Sequence, residues 1–192
     1  MKLHLNNNLS YAALWLAAAV LALALAFASP NEAAVMGRLP AYLSHTLTKQ
    51  PLALPSGLPS DRTLALITFQ KEQRAQAESW VKGLKLQDDA SISWVRMPVI
   101  TDPGNARGRD EVETRLLKHY PMASERARLV PVFTDRAEFA RAAALSGGAN
   151  QFHAVVVNRE GDVLARVEGQ FDEVKAQALR ETLRETLQTK GF

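Results

Sequence analysis

The 192-residue chain contains no cysteine. That absence excludes disulfides, thiolate metal sites and cysteine nucleophiles in any compartment. It also lacks a strong charge of one sign. Lysine and arginine number 23 against 20 acidic residues, a net +3 spread along the whole chain, so the pI near 9.3 expresses a small excess and not a basic cluster. Nucleic acid is therefore not an expected partner. The richest basic stretch, 105 to 128, sets Arg107, Arg109, Arg115, Lys118, Arg126 and Arg128 against Asp110, Glu111, Glu113 and Glu125, the pattern of solvated helix and loop faces. No phosphate loop, nucleophile elbow or carboxylate pair stands out. Asp88-Asp89 and Asp110-Glu111 read as a loop and a helix start. His4, His45, His119 and His153 have no second ligand at metal spacing, so neither a metal, a cofactor nor a catalytic residue is assigned.

What the chain does have is 47% hydrophobic and 22% charged residues, ordinary for one globular domain with an appendage. The appendage begins with Lys2 and His4, followed by an apolar run from Tyr11 to Ala28, half of it alanine. Its length is borderline between a cleavable signal and a spanning helix. Ala26-Phe27-Ala28 has the small-x-small pattern of a cleavage site, and Ser29-Pro30-Asn31-Glu32 breaks the helix behind it. Residues 1–28 are thus expected to be a signal peptide or an amino-terminal membrane anchor. Either directs residues 29–192 outward, because the nearby positive charge stays in the cytoplasm. In a bacterial cell the expected location is the periplasm, free or anchored in the inner membrane facing it.

Residues 29–62 carry Pro30, Pro40, Pro51, Pro55 and Pro59, which marks a proline-rich lead-in, with one or two helical turns expected between Asn31 and Leu47. From Thr63 the elements alternate. Thr63 to Phe69 reads as a strand and Lys71 to Leu84 as a helix. A second strand covers Ser91 to Ile100, and a helix runs from Asp110 until Pro121 ends it. Leu129 to Phe133 is a short strand, and Asp135 with Glu138 forms a capping-box pattern that opens the next helix. His153 to Val157 and Asp162 to Val167 are strands joined through Asn158-Arg159-Glu160-Gly161, and the last helix begins near Asp172 with Val174, Leu179, Leu183 and Leu187 inward. Alternation of this kind predicts an α/β domain over 63–192. Its central sheet of about five strands is mixed but mostly parallel, with helices on both faces, a closing β-hairpin and a carboxy-terminal helix.

The segment HAVVVNREGDVLARVEGQFDEVKAQALRETL (153–183) follows an order of apolar strand, charged glycine turn, second strand, glycine, acidic cap and closing helix. With VPVFTDRAEFARAAAL (130–145), and with TLALITF followed by KEQRAQAESWVKGL, it resembles the thioredoxin superfamily over roughly residues 52 to 189. The likeness is to the larger form of peroxiredoxins and membrane-tethered thiol-disulfide proteins. The organisation is also similar to a thioredoxin-like family containing a mitochondrial chaperone for ATP-synthase assembly. The resemblance implies a three-layer fold with a groove beside the first helix. Two departures qualify what it implies about activity. The redox motif would stand at the start of that helix, where helix dipole and backbone donors lower a thiol's pKa; here the corner is Gln70-Lys71-Glu72-Gln73-Arg74. The proline that faces the redox pair is replaced by His153, where a trans peptide is the default. Copper delivery, which needs paired cysteines plus histidine, is closed as well.

The residues left to act at that corner are Gln70, Lys71, Glu72, Gln73 and His153, a candidate binding groove. The plainest reading of His153 is a histidine satisfied by nearby backbone. Trp80 and Trp94 read as core. The expectation is a redox-inactive, exported protein that acts as an interaction or assembly factor for envelope or membrane-complex proteins. Its partner would be a protein of the envelope or inner membrane. The alternative is a non-thiol enzyme, or a binder of a small thiol such as glutathione, using the groove near His153.

Overall fold

The computed structural model describes residues 35 to 184. The apolar run at Tyr11 to Ala28 and the end of the last helix, with Leu187, lie outside the described residues. Among the described residues no helix is long and apolar enough to cross a membrane.

A run of consecutive apolar residues makes a strand only where both of its faces find cover. TLALIT does so: β3 (Thr63–Thr68) is buried at every position but Thr68. It lies at the centre of a five-stranded sheet ordered β5-β4-β3-β6-β7, with β4 Trp94–Ile100, β5 Val132–Phe133, β6 His153–Val157 and β7 Val163–Glu168. β3 and β4 are parallel, as are β4 and β5; β6 is antiparallel to both β3 and β7. The sheet is mixed, as expected. The closing hairpin extends the parallel β5-β4-β3 unit as an antiparallel edge, its first strand, fully buried HAVVV, lying next to β3.

Alternation divides these strands between two cores. Ala65, Ile67, Met97 and Val155 pack with Phe139, Ala140 and Ala143 from the helix that Asp135 opens (α4, Arg136–Ala142). Leu64, Leu66, Trp94 and Val156 face the other way, against Trp80 and Val81 of α1 (Arg74–Gly83) and Ala176 and Leu179 of α5 (Glu173–Arg184). Both tryptophans are core, their indole N–H groups donating to the carbonyls of Gly169 and Leu86. A third cluster seats Leu116 of α2 (Ala106–His119) on Leu47 and Leu129. A single turn, α3 (Ala123–Ala127), leads into β5.

Three elements differ from the sequence expectation. α2 starts at Ala106 and not at Asp110, because the Asn105 side chain accepts a hydrogen bond from Gly108 N at 2.8 Å and supplies the missing cap. The Leu129–Phe133 strand shortens to two residues, with Leu129 held by one isolated bridge to Arg96. The third difference is in the proline-rich stretch, which holds a strand where helical turns were expected: β1 (Tyr42–His45) pairs antiparallel with β2 (Pro51–Leu54). Pro51 is tolerated because this two-stranded sheet leaves β2 an open edge. Leu39, Leu54 and Leu58 from the same stretch are buried in the core beside β3. Met36 N donates to Val163 O and Leu39 N to Gly161 O, so this stretch also runs along the start of β7.

Candidate functional site

The corner between β3 and α1 is shaped by a glutamine. After Phe69 the chain is extended at Gln70 and then makes a 3-10 turn, Lys71–Gln73, that runs directly into α1. Gln73, 5% exposed, folds its side chain back. Its Oε1 accepts from Phe69 N at 2.7 Å and from Gln70 N at 3.3 Å, while Nε2 donates to Ala149 O at 3.4 Å. Two main-chain amides that would otherwise be orphaned at a helix start are thereby satisfied, and the corner is tied to the loop before β6.

His153 occupies the first position of β6, paired with Ile67 in register. It is fully buried, edge-on to the Phe69 ring at 6.2 Å between centroids. Its Nε2 donates to Gly148 O at 3.0 Å. Nδ1 has no hydrogen-bond partner and lies 3.8 Å from Glu168 Oε1. Burial pushes the imidazole pKa below its usual value, opposed by the Gly148 carbonyl and the Glu168 carboxylate, so at neutral pH the ring is uncharged. Nearby backbone thus satisfies one of the two ring nitrogens, and the His153 peptide is trans, the cis bond among the described residues being Leu54–Pro55.

On the other side of the corner a cleft of about 480 Å³ opens between the end of the sheet, α1 and α2. Gln70, Lys71 and Glu72 line it; Gln73 and His153 do not. The five candidate residues thus split, three facing the cleft and two turned inward as its supporting wall. Five cationic side chains line the cleft, Lys71, Arg74, Arg96, Arg115 and Arg136, against the single carboxylate of Glu72. The basic excess that looks dispersed in the sequence is gathered here by folding.

The deepest of these is Arg96, 3% exposed on β4. Its guanidinium carbon lies over the rings of Trp94 and Tyr120, 5.4 and 5.3 Å from their centroids. Nη1 approaches Glu78 Oε1 at 2.8 Å, yet none of its three nitrogens has a hydrogen bond of acceptable alignment to the protein. We read the Glu78 contact as charge pairing, since direction as well as distance defines a hydrogen bond.

Comparison with solved structures places the fold. A member of the Sco family of cytochrome c oxidase assembly proteins, BsSco, superposes with a TM-score of 0.53 at 15% identity, over 78% of this chain and 95% of its own. A candidate electron transfer protein from Aquifex aeolicus VF5 gives 0.54 at 13% identity, over 79% and 95%. The fold is thioredoxin-like. A candidate thioredoxin from Neisseria meningitidis agrees, at 0.50 and 14% identity over 81% and 95%. No protein-family model matches the chain, and no curated protein matches it.

Within this thioredoxin-like frame the Gln70–Gln73 corner is the start of the first helix, and no side chain there can exchange a disulfide or reduce a peroxide. What the corner offers is amide and cationic chemistry. Arg74, Arg96 and Arg136 are the functional candidates that sequence reasoning passed over. One signal was present: an arginine in the middle of the apolar strand WVRMPVI, where a charge is costly unless the fold gives it a purpose.

Proposed function

We propose that this thioredoxin-like protein works by binding and not by redox turnover, as an exported interaction or assembly factor for envelope or membrane-complex proteins. The observation that carries the reading is the corner itself. The frame is retained, but the place where a thiol pair would stand is closed by Gln73 hydrogen-bonded to the Phe69 and Gln70 amides, with a neutral, buried His153 behind it. Such a corner preserves shape without chemistry. The apolar run at Tyr11 to Ala28 supports export, and BsSco shows that this frame serves an assembly protein. A non-thiol enzyme acting through His153 would need an accessible imidazole, and this one is 0% exposed.

The test pairs two measurements on the full chain. Disulfide reductase and peroxidase assays should show no turnover above buffer. Crosslinking in cells followed by recovery from membranes should enrich subunits of a membrane complex such as ATP synthase or a respiratory enzyme. Measurable turnover, or no reproducible partner, would sink the reading.

A further inference from the structure

We propose that the cleft between α1, α2 and the end of the sheet is a binding site for a small organic anion, a carboxylate or phosphate carried on an apolar body. This goes beyond the protein-binding role above and does not rest on it. The argument begins with Arg96. A guanidinium offers five N–H donors, and a buried charge is tolerated when it is paired and hydrogen-bonded. Arg96 meets half of that requirement. Glu78 supplies charge at 2.8 Å, but Nε, Nη1 and Nη2 have no protein hydrogen-bond partner. The rings of Trp94 and Tyr120 pack on the guanidinium and offer it no acceptor, and Arg96 lines the cleft. Buried donors of native proteins are seldom left unmet without a functional cause.

The surroundings repeat the pattern. Arg136 Nε, at the same cleft, is also buried without a partner. Arg74 and Arg115 add charge from α1 and α2, and no ion pair joins any of these three to an acid among the described residues. Cations brought together from four separate elements repel one another; an anion seated among them removes that repulsion and supplies the missing acceptors. Part of the lining is apolar and only half-buried, with Pro98, Ile100 and Val112. A volume near 480 Å³ suits a small organic molecule. Together these features select an amphipathic anion: inorganic phosphate would leave the apolar lining uncovered, and a neutral apolar ligand would leave the arginine donors unmet.

The experiment titrates the full chain, purified in non-ionic detergent, with phenyl phosphate, phenylacetate and the uncharged phenylacetamide, followed by calorimetry. Saturable binding of at least one anion is expected, about tenfold or more tighter than phenylacetamide and weakening as salt is raised; the tighter anion identifies the headgroup. Arg96→Met should lower the affinity about tenfold or more, as the loss of charge-assisted hydrogen bonds implies. Arg136→Gln, at a half-buried position that tolerates change, should lower it in the same direction and decides the matter if Arg96→Met does not fold. The proposal is overturned if neither anion binds saturably, if phenylacetamide binds equally well, or if the folded variants bind like the parent.

Discussion

Replacing Gln73 by alanine tests the closed corner directly. The side chain accepts from two amides, Phe69 N at 2.7 Å and Gln70 N at 3.3 Å, and reaches the Ala149 carbonyl at 3.4 Å. Phe69 is 3% exposed, so its amide loses its acceptor with no route to bulk water. Leaving one buried amide unmet costs about 1–3 kcal/mol, and the weaker, partly exposed Gln70 bond adds about 0.5–1 kcal/mol. The expected destabilisation is therefore about 1.5–4 kcal/mol. Gln73→Met keeps the volume while removing the same hydrogen bonds, and it should lose nearly as much, which separates hydrogen bonding from packing. Glu72→Ala, one position earlier but exposed and paired only with Lys71 at 3.7 Å, is the control and should stay within about 0.5 kcal/mol. Urea unfolding followed by tryptophan fluorescence reads the difference as a midpoint shift of about 1 M for the Gln73 variants. If Gln73→Met unfolds within about 0.5 kcal/mol of the parent, the corner is not held by these bonds and the reasoning fails.

Two further outcomes can be checked with the same unfolding assay. His153 has its pKa lowered in the folded state, chiefly by burial; below the ordinary histidine value near 6.5 the unfolded chain takes up a proton that the folded chain refuses. Stability from this group is therefore level above about pH 6.5 and falls as the pH drops below it, by up to about 1.4 kcal/mol per pH unit. The pH 7.5 minus pH 5.5 difference should shrink in His153→Phe, and an unchanged difference counts against the assignment. Gly37→Ala places a Cβ 2.3 Å from the Ala143 carbonyl oxygen and 2.8 Å from its carbon, a collision with backbone that no rotamer relieves. It should cost about 1–3 kcal/mol and speed amide exchange at Met36 and Leu39, which donate to β7 and its turn; unaltered exchange there would show that the stretch docks in some other way.

The order of strands and helices was legible from the chain because each central strand is a run of apolar residues bounded by turn chemistry. Gly161, at φ +93°, stands where the hairpin turn requires it. Asp135 caps α4 through Glu138 N at 2.8 Å, as its spacing foretold. The β1–β2 hairpin is not legible because Tyr42 to His45 is too short to show a period and prolines exclude helix without naming a strand partner, while nothing local reveals that Leu54 and Leu58 are buried beside β3. Part of the candidate site was likewise legible. Gln70, Lys71 and Glu72 do face a cleft, because the resemblance fixed where the first helix begins. The cationic character of that cleft was not, since Lys71, Arg74, Arg96, Arg115 and Arg136 come together only when α1, β4, α2 and α4 are packed. Charge along a sequence is a one-dimensional quantity, and the field in a cleft is a three-dimensional one.

The pairing of β6 with β3 has a consequence for how the chain reaches this state. β3 ends at Thr68 and its antiparallel neighbour begins at His153, so one of the two strands that shield β3 is the next-to-last to be synthesised. Until it arrives, TLALIT presents an uncovered hydrogen-bonding edge, and a polypeptide stopped before Phe152 keeps that edge permanently. Long-range pairing of this kind is slow, and an exposed apolar edge invites association. If residues 29–192 cross a membrane in order behind the apolar run, the β3 segment arrives while this edge is still open. Its folding yield should therefore depend on a holdase more than that of a domain whose neighbouring strands follow one another in order.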